Sequence, residues 1–133
     1  MKTKTTAALS LLLCAVFAVP TAALASDCHM EIDAVRVALN DPSTTVEGFC
    51  FERLRDEHKN GDRACDSLNS KLDGADTKID EGKYDDARKK IANFRSSLDG
   101  LFYRAKPLIS EAEYYSVSDA LVTAEACVAG LGL

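Results

Sequence analysis

The chain is expected to fold as an all-α, disulfide-stapled four-helix bundle with an irregular first crossover. Apolar residues recur at helical steps in four separate stretches, no useful run alternates with period two, and cysteines stand near both ends of the helical region.

The first apolar set is Cys28, Ile32, Val35 and Leu39, and it stops at Asn40, Asp41 and Pro42, so the first helix is short. From Ser43 to Gly61 the pattern blurs. The segment "VEGFCFERL" either continues a helical spacing through Val46, Cys50 and Leu54 or forms an irregular loop pinned by Cys50, and it is read as partly helical. This segment is the crossover. Asp62 is placed to cap the next helix, whose seam runs Cys65, Leu68, Leu72, Ala75 and Ile79, and Gly82 closes it. A following seam, Tyr84, Ala87, Ile91, Phe94, Leu98, Leu101 and Ala105, predicts a helix ending near Pro107. Two stripes joined by so short a turn fold back antiparallel and bury each other. In the last helix Ser110 and Glu113 form a capping box, Ile109 and Tyr114 occupy the positions of a hydrophobic staple, and the seam is Tyr114, Val117, Leu121, Ala124 and Val128.

Ahead of these helices the chain begins with Lys2 and Lys4, continues through the apolar "AALSLLLCAVFAV" and reaches Ala23, Leu24 and Ala25. A basic start, a short apolar middle and an A-x-A end make a cleaved secretory signal, too short to span a membrane. Residues 1–25 are read as this leader, with cleavage before Ser26, and residues 26–133 as one helical domain. Lipid attachment at Cys14 is disfavoured, because Leu13 stands where a small residue is needed. No membrane insertion is expected after cleavage.

Loss of Lys2 and Lys4 with the leader leaves fourteen Lys and Arg against twenty-one Asp and Glu, a net charge of about −7. Such a chain lacks the basic footprint of a nucleic-acid or anionic-membrane binder. Four cysteines follow the leader: Cys28, Cys50, Cys65 and Cys127. An even number in a short exported chain implies two disulfides and permits three pairings. The expected set is Cys50 with Cys65, closing a short loop, and Cys28 with Cys127, tying the first helix to the last. The expected compartment is therefore secreted or periplasmic.

The charge-rich stretch "EGKYDDARKK" reads as a helix start. Asp85 and Asp86 sit in a first turn, where the helix dipole favours acids, each four residues before a lysine, Lys89 or Lys90. Asp73, Asp76 and Asp80 share one side of a helix, but no calcium loop accompanies them, and a solvated acidic face is expected. His29 and His58 belong to no metal-binding pair and are expected at the surface or at helix ends, and no C-x-x-C spacing follows the leader. Phosphate loops and nucleophile elbows are missing too, so no catalytic residue, cofactor or metal is assigned and an enzyme is not expected.

Phe102, Tyr103, Tyr114 and Tyr115 flank the turn at Pro107. Phe102 and Tyr114 fit the seams, whereas Tyr103 and Tyr115 fall off them and are the candidate partner-binding residues, tyrosine being apolar in body and polar at its tip.

The stretch "LNSKLDGADTKIDEGKYDDARKKIANF", with Leu68, Leu72, Ala75, Gly82, Ala87, Ile91 and Phe94 in matching places, and the later "KPLISEAEYYSVSDAL" resemble the small helical FIMAH-type modules of secreted bacterial proteins. The resemblance covers Leu68 to Leu121, with Arg95 standing where that pattern is apolar. It implies a bacterial, exported, helical accessory module and supplies no catalytic residues. "EGKYDDA" also resembles a tetratricopeptide turn, but there is no second copy at that period. The expected function is binding to a protein outside the cytoplasm, as an inhibitor or accessory subunit. The alternative is a small envelope or matrix protein binding glycans or divalent ions through its acidic faces.

Overall fold

The structure, a computed structural model, describes residues 24–40 and 61–133. Among the described residues there are four helices, α1 (Ala25–Leu39), α2 (Gly61–Asp80), α3 (Tyr84–Phe102) and α4 (Glu111–Ala129), and no strand. Residues 1–23 of the expected leader, the crossover at 43–60, Cys50 and His58 lie outside the described residues.

The helices form a ring in which α1 packs on α2 and α4, and α3 packs on α2 and α4. Neighbours run antiparallel: His29 near the start of α1 meets Asp76 and Asp80 near the end of α2, while Asn40 after α1 meets Asn69 in the first half of α2. Each seam points inward. Cys28, Ile32, Val35 and Leu39 of α1, Leu68, Leu72 and Ala75 of α2, Ile91, Phe94 and Leu98 of α3 and Val117, Leu121 and Ala124 of α4 are almost wholly buried in one core. A large apolar side chain buried to this extent contributes about 1.5–3 kcal/mol through removal from water.

Cys28 and Cys127 form a disulfide with Cα atoms 5.4 Å apart, joining α1 to α4 as expected. Cys65 is disulfide-bonded as well. Its expected partner, Cys50, is among the residues not described.

The turn between α2 and α3 has the geometry that Gly82 promised. Gly82 has φ +73, its N–H bonds the Ile79 carbonyl at 3.0 Å, and the Lys83 N–H bonds the Lys78 carbonyl at 2.8 Å, the paired bonds of a Schellman C-cap. Glu81 lies between Lys78 (3.7 Å) and Lys83 (3.1 Å), so an ionic clasp spans the turn. The C-terminal end of α4 is also sealed. Arg88 donates from Nη1 to the carbonyls of Val128 (2.7 Å) and Leu131 (3.1 Å), bringing a cation to the negative end of the helix dipole.

Three local expectations are corrected. Helix α2 already includes Gly61, so Asp62 lies within the helix and is not its cap. Helix α3 stops at Phe102 and not near Pro107, and Ala105 is exposed outside it. The proline bars its predecessor from helical backbone, and the connection instead folds back so that the Leu108 N–H bonds the Leu101 carbonyl at 2.8 Å and Ile109 enters the core. Finally, Asp85 pairs with Arg88 at 2.9 Å, and among the described residues no ion pair joins Asp85 to Lys89 or Asp86 to Lys90. The Lys90 stem instead lies close enough to Gly74 of α2 that a Cβ there would meet its Cδ at 3.3 Å.

Candidate functional site

The candidate face lies where the end of α3 meets the start of α4. The Ser110 hydroxyl accepts from the Glu113 N–H at 3.1 Å, and the Glu113 carboxylate accepts from the Ser110 N–H at 2.9 Å, which fixes the entry of the chain into α4. Ile109 and Tyr114 are both buried, as a staple requires. Tyr114 therefore lies over Phe102, with ring centroids 4.5 Å apart and planes at 17°.

The two candidate tyrosines stand around this stacked pair. Tyr103 meets Phe102 edge-on at 5.0 Å and Tyr114 at 5.4 Å, and Tyr115 meets Tyr114 at 5.2 Å and Phe102 at 6.2 Å. Tyr103 is 64% exposed and Tyr115 45%, against 4% for Tyr114. The inward and outward assignment of the tyrosines thus agrees with the helical spacing. Edge-to-face contacts hold the exposed rings in place.

Beneath the rings runs a polar network that bridges α3 and α4. The Tyr114 hydroxyl donates to Asp99 at 2.6 Å. Arg95 grips Glu125 through Nε (3.1 Å) and Nη2 (2.7 Å), and its Nη1 donates to the Ser118 hydroxyl at 2.7 Å. Burial first, and then the bond to Asp99, push the Tyr114 phenol up to about 12, so it stays a donor at neutral pH. Hydrogen bonding to Glu125 is the main reason that the Arg95 guanidinium is raised above its ordinary value, with burial opposing. Sequence reasoning missed this network. Its signals were Arg95, one residue past the seam position Phe94, and the seven-residue spacing of Ser118 and Glu125, which puts both on one side of α4.

A second cluster joins α1 to α2. His29 places Nδ1 2.7 Å from Asp76 and Nε2 2.9 Å from Asp80. Arg36 reaches Asp73 at 2.9 Å and Asp76 at 2.8 Å from Nη2, and also contacts Asp33. Asn40 and Asn69 exchange side-chain amide bonds at 2.9 and 3.2 Å one level further along. Asp73 and Asp80 of the acidic stripe on α2 are exposed, as expected of a solvated face, while Asp76 is largely covered, and all three also form one half of an interhelical clasp. His29 lies near the start of α1 and is partly exposed, as expected, and it also bridges to α2. Among the described residues no group of three or more His, Cys, Asp and Glu side chains is placed to hold a metal ion, and no helix is long and apolar enough to cross a membrane.

No family model matches this chain, nor does any curated protein or solved structure.

Proposed function

We propose that the chain is an exported module that acts by binding another protein outside the cytoplasm, with Tyr103 and Tyr115 as its contact residues. The observation that carries this reading is the exposure of two tyrosine rings braced against a stacked pair, Tyr114 buried and Phe102 half-buried. A partner would meet large contact area whose rotamers are already restricted, so less side-chain entropy is lost on association. Export rests on the leader-like first 25 residues, and the Cys28–Cys127 disulfide is compatible with an oxidising compartment. An inhibitor or an accessory subunit would use such a rigid face in the same way. The glycan or divalent-ion alternative drew on the acidic faces, and the Asp73, Asp76 and Asp80 carboxylates are already engaged by Arg36 and His29.

Size-exclusion chromatography with light scattering tests the reading, using oxidised residues 26–133 mixed with the secreted and periplasmic fractions of the source cells. The expected result is a stoichiometric complex that disappears for the Tyr103→Ala/Tyr115→Ala variant while its far-ultraviolet circular dichroism is unchanged. A peak that stays monomeric in every fraction, or a complex indifferent to both tyrosines, would overturn it.

A further inference from the structure

The α4 surface that carries Tyr115 has a pattern beyond exposed aromatics. Glu111, Tyr115 and Asp119 follow at steps of four, which aligns them along one line of the helix, and all three are exposed. Val122, 57% exposed, and exposed Ala126 continue that line. Tyr103 belongs to the same ring cluster. Among the described residues neither Glu111 nor Asp119 has an ion-pair partner, in contrast to Glu125 and the α2 carboxylates. Acid, aromatic and acid in line, followed by an apolar strip, is complementary to a cation followed by an apolar group.

We propose that Glu111, Tyr115 and Asp119, with Tyr103 beside them, seat a lysine or arginine side chain from a basic segment of the protein partner. A cation over the face of a tyrosine is attracted by the ring quadrupole, and carboxylates on both sides add Coulomb attraction and orientation. Neighbouring bases do not already fill the seat. Arg95 is held by Glu125, while Arg104 and Lys106 lie in the connection after α3 and not on the α4 line. The Tyr115 phenol is raised, by Tyr103 foremost, then burial, with Glu111 and Asp119 adding to the shift. Net charge of the whole chain is −5, so long-range attraction has the same sign. An acidic peptide would meet repulsion at the same place.

This inference rests on the protein-binding reading and specifies its partner chemistry. The test is a nitrogen-15 NMR titration of the oxidised protein with two capped peptides, one alternating glycine with lysine and arginine, the other alternating glycine with glutamate. Saturable shifts on Tyr103 and the Glu111 to Val122 line are expected with the basic peptide only. Their affinity should fall about fivefold in Glu111→Gln/Asp119→Asn and by a similar factor in Tyr115→Leu. No saturable shift at millimolar peptide, equal response to the glutamate peptide, or shifts spread evenly to other acids such as Asp85 and Asp86 would each overturn it. If a captured partner is lost with the tyrosines but retained by Glu111→Gln/Asp119→Asn, the cation seat fails and the protein-binding reading survives. If the basic peptide binds as expected but no partner is ever captured, the seat stands and the broader reading fails.

Discussion

The imidazole of His29 on α1 meets the carboxylate of Asp76 on α2 at 2.7 Å, Nδ1 to Oδ1, while its other nitrogen lies 2.9 Å from Asp80. A neutral imidazole has one N–H to donate, so bonds to both carboxylates require the imidazolium. Folding accordingly raises His29 above its ordinary 6.5, chiefly through the hydrogen bond to Asp76, with burial pulling the other way. A group raised on folding stabilises fully below its unfolded value, and that contribution is lost as pH climbs through the folded value. Stability should therefore decline from about pH 6.5 upward through the raised His29 value. The ring is 30% exposed, so the effect should be below about 1 kcal/mol after solvent screening. Thermal melts from about pH 5.5 to about pH 9 should show this slope in the parent and lose it in His29→Gln. Imidazole resonances titrating at or below the ordinary value would contradict the assignment.

Arg95 and Glu125 form a fork that crosses from α3 to α4. Replacing Arg95 by Leu strands Glu125 and the Ser118 hydroxyl, and should cost about 1–3 kcal/mol. Glu125→Gln should cost less, because an amide still accepts one bond. A double-mutant cycle in chemical denaturation should return a coupling of at least about 0.5 kcal/mol. Additivity would show that the fork contributes nothing of its own.

Two glycines should respond with opposite sign. Gly82 has φ +73, and a Cβ added there would meet nothing within 4 Å, so Gly82→Ala should cost about 1 kcal/mol through backbone conformation alone. Gly100 sits inside α3 with equally open space, so Gly100→Ala should stabilise by about 0.5–1 kcal/mol. Denaturant midpoints shifting in the same direction for both variants would refute this contrast.

The Cys28–Cys127 bond joins residues 99 positions apart in the chain. Its removal by Cys28→Ser/Cys127→Ser should lower stability by about 2–5 kcal/mol. Differential scanning calorimetry of that variant, with Cys65 left oxidised, isolates this bond from the other disulfide. An unchanged melting temperature would show that helix packing alone holds α1 against α4.

What the sequence revealed and what it concealed divide along a physical line. Seams such as Leu68, Leu72 and Ala75 were legible because burial against any neighbour demands only helical periodicity. The Ser110 capping box and Gly82 were legible because their partners lie within a few residues. Pairings between helices were not, since they depend on the register of one helix against another. Arg36 with Asp73, His29 with Asp76 and Arg95 with Glu125 are separated by 37, 47 and 30 positions, and no local pattern links them. The choice of Arg88 over Lys89 as the partner of Asp85 likewise followed from a tertiary demand, because Arg88 also bonds the carbonyls of Val128 and Leu131 at the end of α4. For the candidate face, the outward placement of Tyr103 and Tyr115 was readable from spacing. The stack of Phe102 on Tyr114 that braces them was not, because it is set by the fold of the connection.

The position of the disulfide has a mechanical consequence. Cys28 lies in the first turn of α1 and Cys127 in the last turn of α4, so the bond lies near both ends of the helical chain. Tension applied to segments on either side of the bundle would pass from one strand to the other through a single covalent link. The helices between the two cysteines would carry almost none of the load. Under oxidising conditions the Tyr103 and Tyr115 face would keep its shape while the molecule is pulled, and reduction would transfer the force directly onto the packed helices.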